Sequence, residues 1–347
     1  MIFGEAINKA ILKNLSKSKK FLLMGLGVSY DNKEFYSKYP EQVIETPVSE
    51  LSFTGMAVGL ASQGYKPMID HGRVEFSILA LDQILTQAAR WEFMFGGNYK
   101  CPACFKICIG RQWGNGPQHT GTYHSVFMQS LGMDIFIPST PYEGYIHILH
   151  TLKNNNPSVI LEHRWLYLNN QNFKIKNNFK IHKALLVGKK KKILIITYGD
   201  GFVESLKAKK ILEENGIEVT VISLSYFPKN ERISKKIINV ISNYEKIYYV
   251  DTSPYDFGLL SGLSGIINTS KKYKKKPEFI LASPFNPCPT STKLTKNYYQ
   301  NSYSISKAIY RMETNKKLII KPLTFEQIHT VTKVEIDELL INQQFIF

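Results

Sequence analysis

The chain has 347 residues and carries 44 lysines and arginines against 28 aspartates and glutamates, which gives a formal net charge of +16. This length exceeds the size at which one hydrophobic core usually stops growing, so we predict two domains. The sequence has no apolar run of about 18 residues, no signal-peptide pattern and no Arg-rich presequence, which argues against a membrane protein and favours a cytoplasmic one. Four cysteines are too few for a disulfide scaffold and fit a reducing compartment.

Much of the positive charge lies in two lysine-rich runs, 189–192 and 271–276. The first run precedes a predicted strand and the second lies in a predicted loop. Because the whole chain is rich in lysine, asparagine and isoleucine, we interpret both runs as solvated surface and predict no nucleic-acid site. If this surface has a functional partner, an acidic protein is the better candidate.

Residues 1–170 are predicted to form the first domain. Strand-like segments at 20–24, 105–109 and 135–137 are separated by stretches with helical periodicity. Such alternation predicts an α/β fold with a mostly parallel, doubly wound sheet that is covered on both faces. A polar, turn-rich segment at 168–174 then indicates a linker.

The second, smaller α/β domain is predicted over residues 171–312. It begins with a strand near 191–196, continues into an amphipathic helix that ends near Gly216, and returns as a strand at 217–222. A further strand is predicted at 246–251. Residues 313–347 are predicted to form a helical C-terminal extension, with short helices at 323–328 and 333–340.

Glu50 is the leading catalytic candidate. Pro47 and Ser49 indicate a loop that ends in a helix start, and residues 55–61 are small and apolar. A carboxylate in the first turn of this helix would lie at the positive end of the helix dipole and among apolar groups. Most first-turn glutamates are exposed and serve only the helix, so this pattern alone is weak support.

The surrounding sequence resembles one family at seven landmarks in a single order. These lie in the segment around Glu50, in 70–97 (DHGRVEFSILALDQILTQAARWEFMFGG), and in 116–120 (GPQHT), 137–142 (IPSTPY) and 155–162. The family is the β subunit of the thiamine-diphosphate-dependent 2-oxo acid dehydrogenase first component, as in the pyruvate, branched-chain and acetoin complexes. The resemblance covers roughly residues 4–312. It implies a transketolase-like pyrimidine-binding domain followed by a transketolase C-terminal-type domain.

The resemblance assigns roles to four residues. It implies that Glu50 binds the pyrimidine ring of thiamine diphosphate and exchanges a proton with it, and that Phe76 packs against that ring. Gly72 would lie near the pyrimidine, where the family often has a larger residue, so a wider pocket is expected. His119 matches the family's catalytic histidine on the substrate side. His124 departs from the family, which carries a glutamate there.

No metal site is predicted in this chain. The Gly-Asp-Gly at 199–201 resembles the motif that holds magnesium and diphosphate in thiamine enzymes, but the asparagine expected some 24 to 27 residues later is missing. Cys101, Cys104 and Cys108 lack a fourth ligand at useful spacing for zinc. The resemblance therefore implies that a partner α subunit holds most of the Mg²⁺ and diphosphate contacts.

These features predict the β subunit of an enzyme with two α and two β chains. With its α subunit it would decarboxylate a 2-oxo acid and pass the acyl group to a lipoyl acyltransferase core. One alternative is a split transketolase-like enzyme that acts on a sugar or related ketone without a lipoyl partner. The other is a catalytically silent interaction subunit. The sequence does not identify the substrate's side chain.

Overall fold

Two sheets flanked by helices account for most of the chain. The computed structural model describes residues 1–111, 115–175, 179–189, 192–271, 273, 276 and 278–346. Both lysine-rich runs lie partly outside the described residues, at 190–191, 272 and 274–275. Lys191 is also the first residue of the predicted strand.

The first half contains these elements: α1 Phe3–Lys17, β1 Phe21–Gly25, α2 Val28–Asp31, α3 Lys33–Lys38, β2 Val43–Glu45, α4 Glu50–Ser62, β3 Lys66–Asp70, α5 Val74–Ile78, a π-helix at Asp82–Ala88, α6 Trp91–Met94, β4 Cys104–Ile109, a 3₁₀ turn at Pro117–His119, α7 His124–Met128, β5 Asp134–Phe136, α8 Pro141–Lys153, β6 Ser158–His163, a 3₁₀ turn at Arg164–Leu166 and β7 Asn169–Asn170.

The second half contains the remaining elements: β8 Ala184–Val187, β9 Ile193–Thr197, α9 Asp200–Glu214, β10 Val219–Leu224, β11 Tyr226–Phe227, α10 Ile233–Ile241, β12 Lys246–Pro254, α11 Leu259–Asn268, β13 Glu278–Ser283, α12 Thr292–Thr295, α13 Ser302–Thr314, α14 Phe325–His329, β14 Val334–Glu335, a 3₁₀ turn at Ile336–Glu338 and β15 Gln343–Ile346.

The first sheet has the strand order β11-β5-β6-β4-β3-β1-β2, and all its pairings are parallel except that of β11 with β5. One face is covered by α1 and α8, with Phe3 and Ile7 in that core, and the other by α4 and the π-helix, with Phe53 and Ile84. The two-sided cover explains why β4 is buried at all six positions. The predicted doubly wound α/β fold is therefore confirmed.

The second sheet has the order β13-β12-β9-β10-β8-β15. Strands β9, β10, β12 and β13 run parallel, whereas β8 and β15 pair antiparallel at one edge. The predicted unit of strand, helix and returning strand is present as β9, α9 and β10. Strand β11, from the second half of the chain, pairs with β5 of the first sheet. Backbone hydrogen bonds between these two strands therefore join the two halves.

The predicted helix over 333–340 is wrong. Val334 and Glu335 pair with the linker strand β7, a 3₁₀ turn follows, and β15 completes the edge of the second sheet. Ile336 is fully buried, and the Asp337 carboxylate accepts a hydrogen bond from the backbone N–H of Asn172 at 2.7 Å. These tertiary contacts outweigh the helical propensity of the segment. The helix predicted at 323–328 corresponds to α14.

The first sheet determines where the candidate residues lie. Because parallel strands end at the same edge of a sheet, the segments that follow β2, β3 and β4 emerge together. Glu50 follows β2, Gly72 and Phe76 follow β3, and His119 follows β4. This edge is where ligands bind in open α/β sheets.

Candidate active site

Glu50 is the first residue of α4 and is 8% exposed. The loop before it is fixed by hydrogen bonds from the backbone N–H of Thr46 to Gly25 O and from that of Ser49 to Pro47 O. No donor among the described residues is hydrogen-bonded to the Glu50 carboxylate. A largely buried glutamate at the positive end of a helix, whose carboxylate has no partner in the described chain, is available to bind a hydrogen-bond donor from outside it.

Apolar and aromatic side chains surround the next turn of α4. The ring of Phe53 lies 5.5 Å from that of His71, which also contacts Phe105. The hydroxyl of Thr54 lies 3.4 Å from His71 Nε2. Burial lowers the pKa of His71 to about 4, although the charge of Asp70 opposes part of this shift. His71 is therefore neutral at physiological pH.

His71 should make the protein less stable in mild acid. Its pKa is 6.5 when unfolded and about 4 when folded, so its full contribution is present above pH 6.5 and is lost as the pH falls from 6.5 to 4. We expect this loss to be about 3 kcal/mol in the free energy of unfolding. The free energy of unfolding is measured by urea denaturation at pH 6.5 and at pH 4. Because asparagine does not titrate, His71→Asn should lose correspondingly less of it between the two pH values than the wild type. Equal decreases in both proteins would contradict the assignment.

Gly72 lies beside a buried charge cluster. Its backbone N–H donates to Asp70 Oδ1 at 2.9 Å, and the other Asp70 oxygen lies 2.9 Å from the Lys106 ammonium. Glu162 lies 3.5 Å from the same ammonium. Burial alone would raise the pKa of Asp70, but Lys106 holds it below its ordinary value. Gly72 has a φ of +66°, and a Cβ there would meet no atom within 4 Å, so space is open beside it.

Phe76 and His119 are brought into contact. Their ring centroids are 5.6 Å apart in an edge-to-face arrangement at 69°. His119 ends the 3₁₀ turn, and its Nδ1 is buried without a hydrogen-bond partner among the described residues. Glu50 and Gly72 lie at the same sheet edge, but no hydrogen bond or ring contact of the described residues joins either to this pair. The roles of all four residues stay predictions.

His124 belongs to a buried chain of polar groups that sequence reasoning missed. Its Nε2 lies 2.9 Å from His163 Nε2, and His163 Nδ1 lies 3.0 Å from Asp200 Oδ1. The second Asp200 oxygen pairs with Arg111 at 3.0 Å. Burial opposes ionisation of Asp200, but Arg111 and His163 outweigh it and lower its pKa to about 2. The only signal in the sequence was an unexplained aspartate in the Gly-Asp-Gly segment.

This arrangement gives the Gly-Asp-Gly segment a structural role within the chain. Both oxygens of Asp200 are used within the chain, and a Cβ at Gly201 would lie 2.5 Å from Thr197 Oγ1. The segment is thus a close-packed strand-to-helix turn that ties the second domain to the first. Each Asp200 oxygen is engaged by a side chain of this chain, Arg111 on one and His163 on the other.

The cysteines are buried free thiols. Burial raises the pKa of Cys101 and Cys104 to about 12 and that of Cys108 to about 11, so all three are protonated. Within the described ranges, no group of three or more His, Cys, Asp or Glu side chains is arranged to hold a metal ion.

Comparisons with known proteins agree with this architecture. Residues 2–169 match the model of the transketolase pyrimidine-binding domain, and residues 182–305 match that of the transketolase C-terminal domain. A solved structure titled split gene transketolase, inactive beta4 tetramer, aligns over 88% of this chain and 96% of its own, with a TM-score of 0.71 and 16% identity. The fold therefore defines a transketolase-type protein that has the pyrimidine-binding and C-terminal domains.

Curated relatives narrow this class. The chain is 32% identical to a pyruvate dehydrogenase E1 component subunit beta of Chaetosphaeridium globosum, over 65% of this chain and 71% of the relative. It is 24% identical to the acetoin:2,6-dichlorophenolindophenol oxidoreductase subunit beta of Cupriavidus necator, over 87% and 94%. It is 26% identical to the mitochondrial pyruvate dehydrogenase E1 subunit beta of Saccharomyces cerevisiae, over 89% and 88%. The chain belongs to the family of β subunits of the thiamine-diphosphate-dependent 2-oxo acid dehydrogenases. Among the described residues, no helix is both long and apolar enough to cross a membrane.

Proposed function

We propose that this chain is the cytoplasmic β subunit of a 2-oxo acid dehydrogenase or decarboxylase and acts with an α subunit in an assembly of two α and two β chains. The enzyme decarboxylates a 2-oxo acid and transfers the acyl group to a lipoyl acceptor. The observation that carries this proposal is Glu50, a buried carboxylate in the first turn of α4, at the sheet edge where Phe76 and His119 also lie.

The residues at this edge fit the pyrimidine half of thiamine diphosphate. The Glu50 carboxylate has no partner among the described residues and is free to bind a ring nitrogen. Phe76 offers an aromatic ring, and Gly72 leaves open space for a bound ring beside β3. When bound, thiamine diphosphate supplies a carbon nucleophile and an electron sink for decarboxylation. Glu50 would hold the pyrimidine ring nitrogen and exchange a proton with it.

The diphosphate half of the site is assigned to the partner. Asp200, the one acidic residue of the Gly-Asp-Gly segment, is paired with Arg111 and His163 and is buried. Drawing Asp200 away from these partners would leave the buried Arg111 guanidinium, among the described residues, with only the longer 3.9 Å pairing to Glu204, which is costly. The α subunit would therefore supply most of the Mg²⁺ and diphosphate contacts.

His119 is assigned to the substrate side. Its ring is fixed at one edge by Phe76, and an imidazole can donate or accept a proton near neutral pH. In this role His119 orients the substrate carbonyl or protonates the acceptor, whereas Glu50 acts only on the pyrimidine.

A second candidate function is a split transketolase-like enzyme that acts on a sugar or related ketone. A Cβ at Gly72 would meet no atom within 4 Å, and any part of this space that the pyrimidine does not fill would admit a larger substrate than a simple 2-oxo acid. In addition, the position where the family carries a glutamate holds His124 in this chain, which is fully buried against His163 and supplies no carboxylate.

The two functions are separated by isolating the protein from its native organism with its bound partner. Mass spectrometry identifies the partner, and the complex is then assayed with a panel of 2-oxo acids and a lipoyl acceptor, and in parallel with ketose sugars. Decarboxylation with acyl transfer to the lipoyl group supports the main proposal. Ketose turnover without lipoyl transfer supports the second, and an assembled complex inactive on both panels would contradict both.

A further inference from the structure

The loop that carries His119 contacts the start of α5 at three points. At its beginning, the Arg73 guanidinium donates to the Asn115 side-chain oxygen at 3.2 Å, once the Asn115 amide is oriented to accept it. In the middle, His119 packs on Phe76. At its end, Glu75 Oε1 accepts a hydrogen bond from the backbone N–H of Gly121 at 2.5 Å. Three residues within the segment 73–76 thus contact the beginning, middle and end of the loop.

The Glu75 contact is the one of the three that holds the backbone of the loop. A carboxylate that accepts from a backbone N–H makes a charge-assisted hydrogen bond, about twice as strong as a neutral one. Gly121 is needed for this approach, since a Cβ there would lie 2.8 Å from Glu75 Oε1 and would collide with the ring of Tyr123. Glu75 is half-buried, so the contact is partly shielded from water.

The loop also has its own internal bond. The Thr120 hydroxyl donates to Gly116 O at 2.9 Å, which joins the residues on either side of the 3₁₀ turn. Residues 116–121 are therefore joined to one another through this bond, and the Glu75 bond to Gly121 holds their far end. His119 lies two residues before the fixed point.

We propose that Glu75 is a positioning residue for His119: by holding the N–H of Gly121, it keeps the imidazole against Phe76 and aimed at the substrate side. The catalytic consequence rests on the proposed function, whereas the positioning itself does not. Loss of the bond lets residues 117–121 shift, and a displacement of about 1 Å at a catalytic group costs about 10²-fold in rate.

The first experiment measures the position of His119 without any activity assay. The full chain is treated with diethyl pyrocarbonate, and the rate of modification at His119 is followed by mass spectrometry. We expect Glu75→Ala to raise this rate about tenfold, the worth of a charge-assisted hydrogen bond. Glu75→Gln keeps a carbonyl acceptor and should stay close to wild type. Glu34→Ala is the control, because the Glu34 side chain is exposed and pairs with Lys38 on its own helix.

An unchanged rate in Glu75→Ala, or an equal rise in Glu34→Ala, would overturn the proposal. If Glu75→Ala does not fold, Glu75→Asp, whose shorter side chain withdraws the carboxylate from the Gly121 N–H, is compared with Glu34→Asp. Faster modification in Glu75→Asp alone supports the proposal, and equal rates in both aspartate variants overturn it.

The second experiment separates this inference from the proposed function. In the assembled complex, Glu75→Ala should lower kcat about 10²-fold and leave exchange of the cofactor's thiazolium proton unchanged, with rescue by Glu75→Gln. If turnover survives in His119→Ala, the proposed catalytic role of His119 is wrong. The diethyl pyrocarbonate rates of the Glu75 variants still test whether Glu75 positions His119. If Glu75→Ala lowers turnover and exchange equally, Glu75 acts on the cofactor and the positioning role is wrong.

Discussion

Glu50→Gln should nearly abolish activation of thiamine diphosphate in the assembled enzyme. The amide keeps the shape of the side chain and its place in the first turn of α4, but it cannot exchange a proton with the pyrimidine. We expect the rate of deuterium exchange at the thiazolium carbon to fall about 10²- to 10⁴-fold, the usual worth of a positioned acid or base. Folding and assembly should be preserved.

The matched control is Glu34→Gln, which changes another first-turn glutamate, but one that is exposed and paired with Lys38. It should leave the exchange rate at the wild-type value. If Glu50→Gln in a correctly assembled complex also exchanged at the wild-type rate, Glu50 would be an ordinary helix-start residue and the assignment of this site would be wrong.

His119→Ala should act at a later step. An imidazole packed on Phe76 at the substrate side can protonate or orient the reacting groups, but it does not take part in the proton exchange assigned to Glu50. We expect turnover to fall about 10²- to 10⁴-fold while thiazolium exchange stays nearly intact. Measuring both rates on the same preparation separates the two roles.

A useful control for this variant is His329→Ala, which removes a histidine in α14 of the C-terminal segment. It should leave both rates unchanged. Loss of exchange together with turnover in His119→Ala would place the residue at the pyrimidine, and full turnover would show that it is a loop histidine without a catalytic role.

The fold was predictable because its signals are local. Strands expected at 20–24, 105–109 and 135–137 are found at Phe21–Gly25, Cys104–Ile109 and Asp134–Phe136, since continuous apolar runs are typical of strands that are buried on both faces. The helix start at Glu50 was likewise indicated by the Pro47 to Ser49 loop before it.

Several parts of the site could not be predicted because they depend on distant partners. His124, His163 and Asp200 are separated by at least 37 residues from one another, and only the packing of the two domains brings them together. The Glu75 bond to Gly121 spans 46 residues and leaves no mark in either local sequence. The segment 333–340 has good helical propensity. Pairing of β14 with the linker strand β7 overrides that preference.

The central claim is that this chain supplies only the pyrimidine half of a thiamine diphosphate site. Calorimetric titration of thiamine diphosphate with Mg²⁺ tests it most directly, first with the isolated chain and then with the chain assembled with its partner. The account predicts little or no binding by the isolated chain and micromolar or tighter binding by the complex. Micromolar binding by the isolated chain would contradict it.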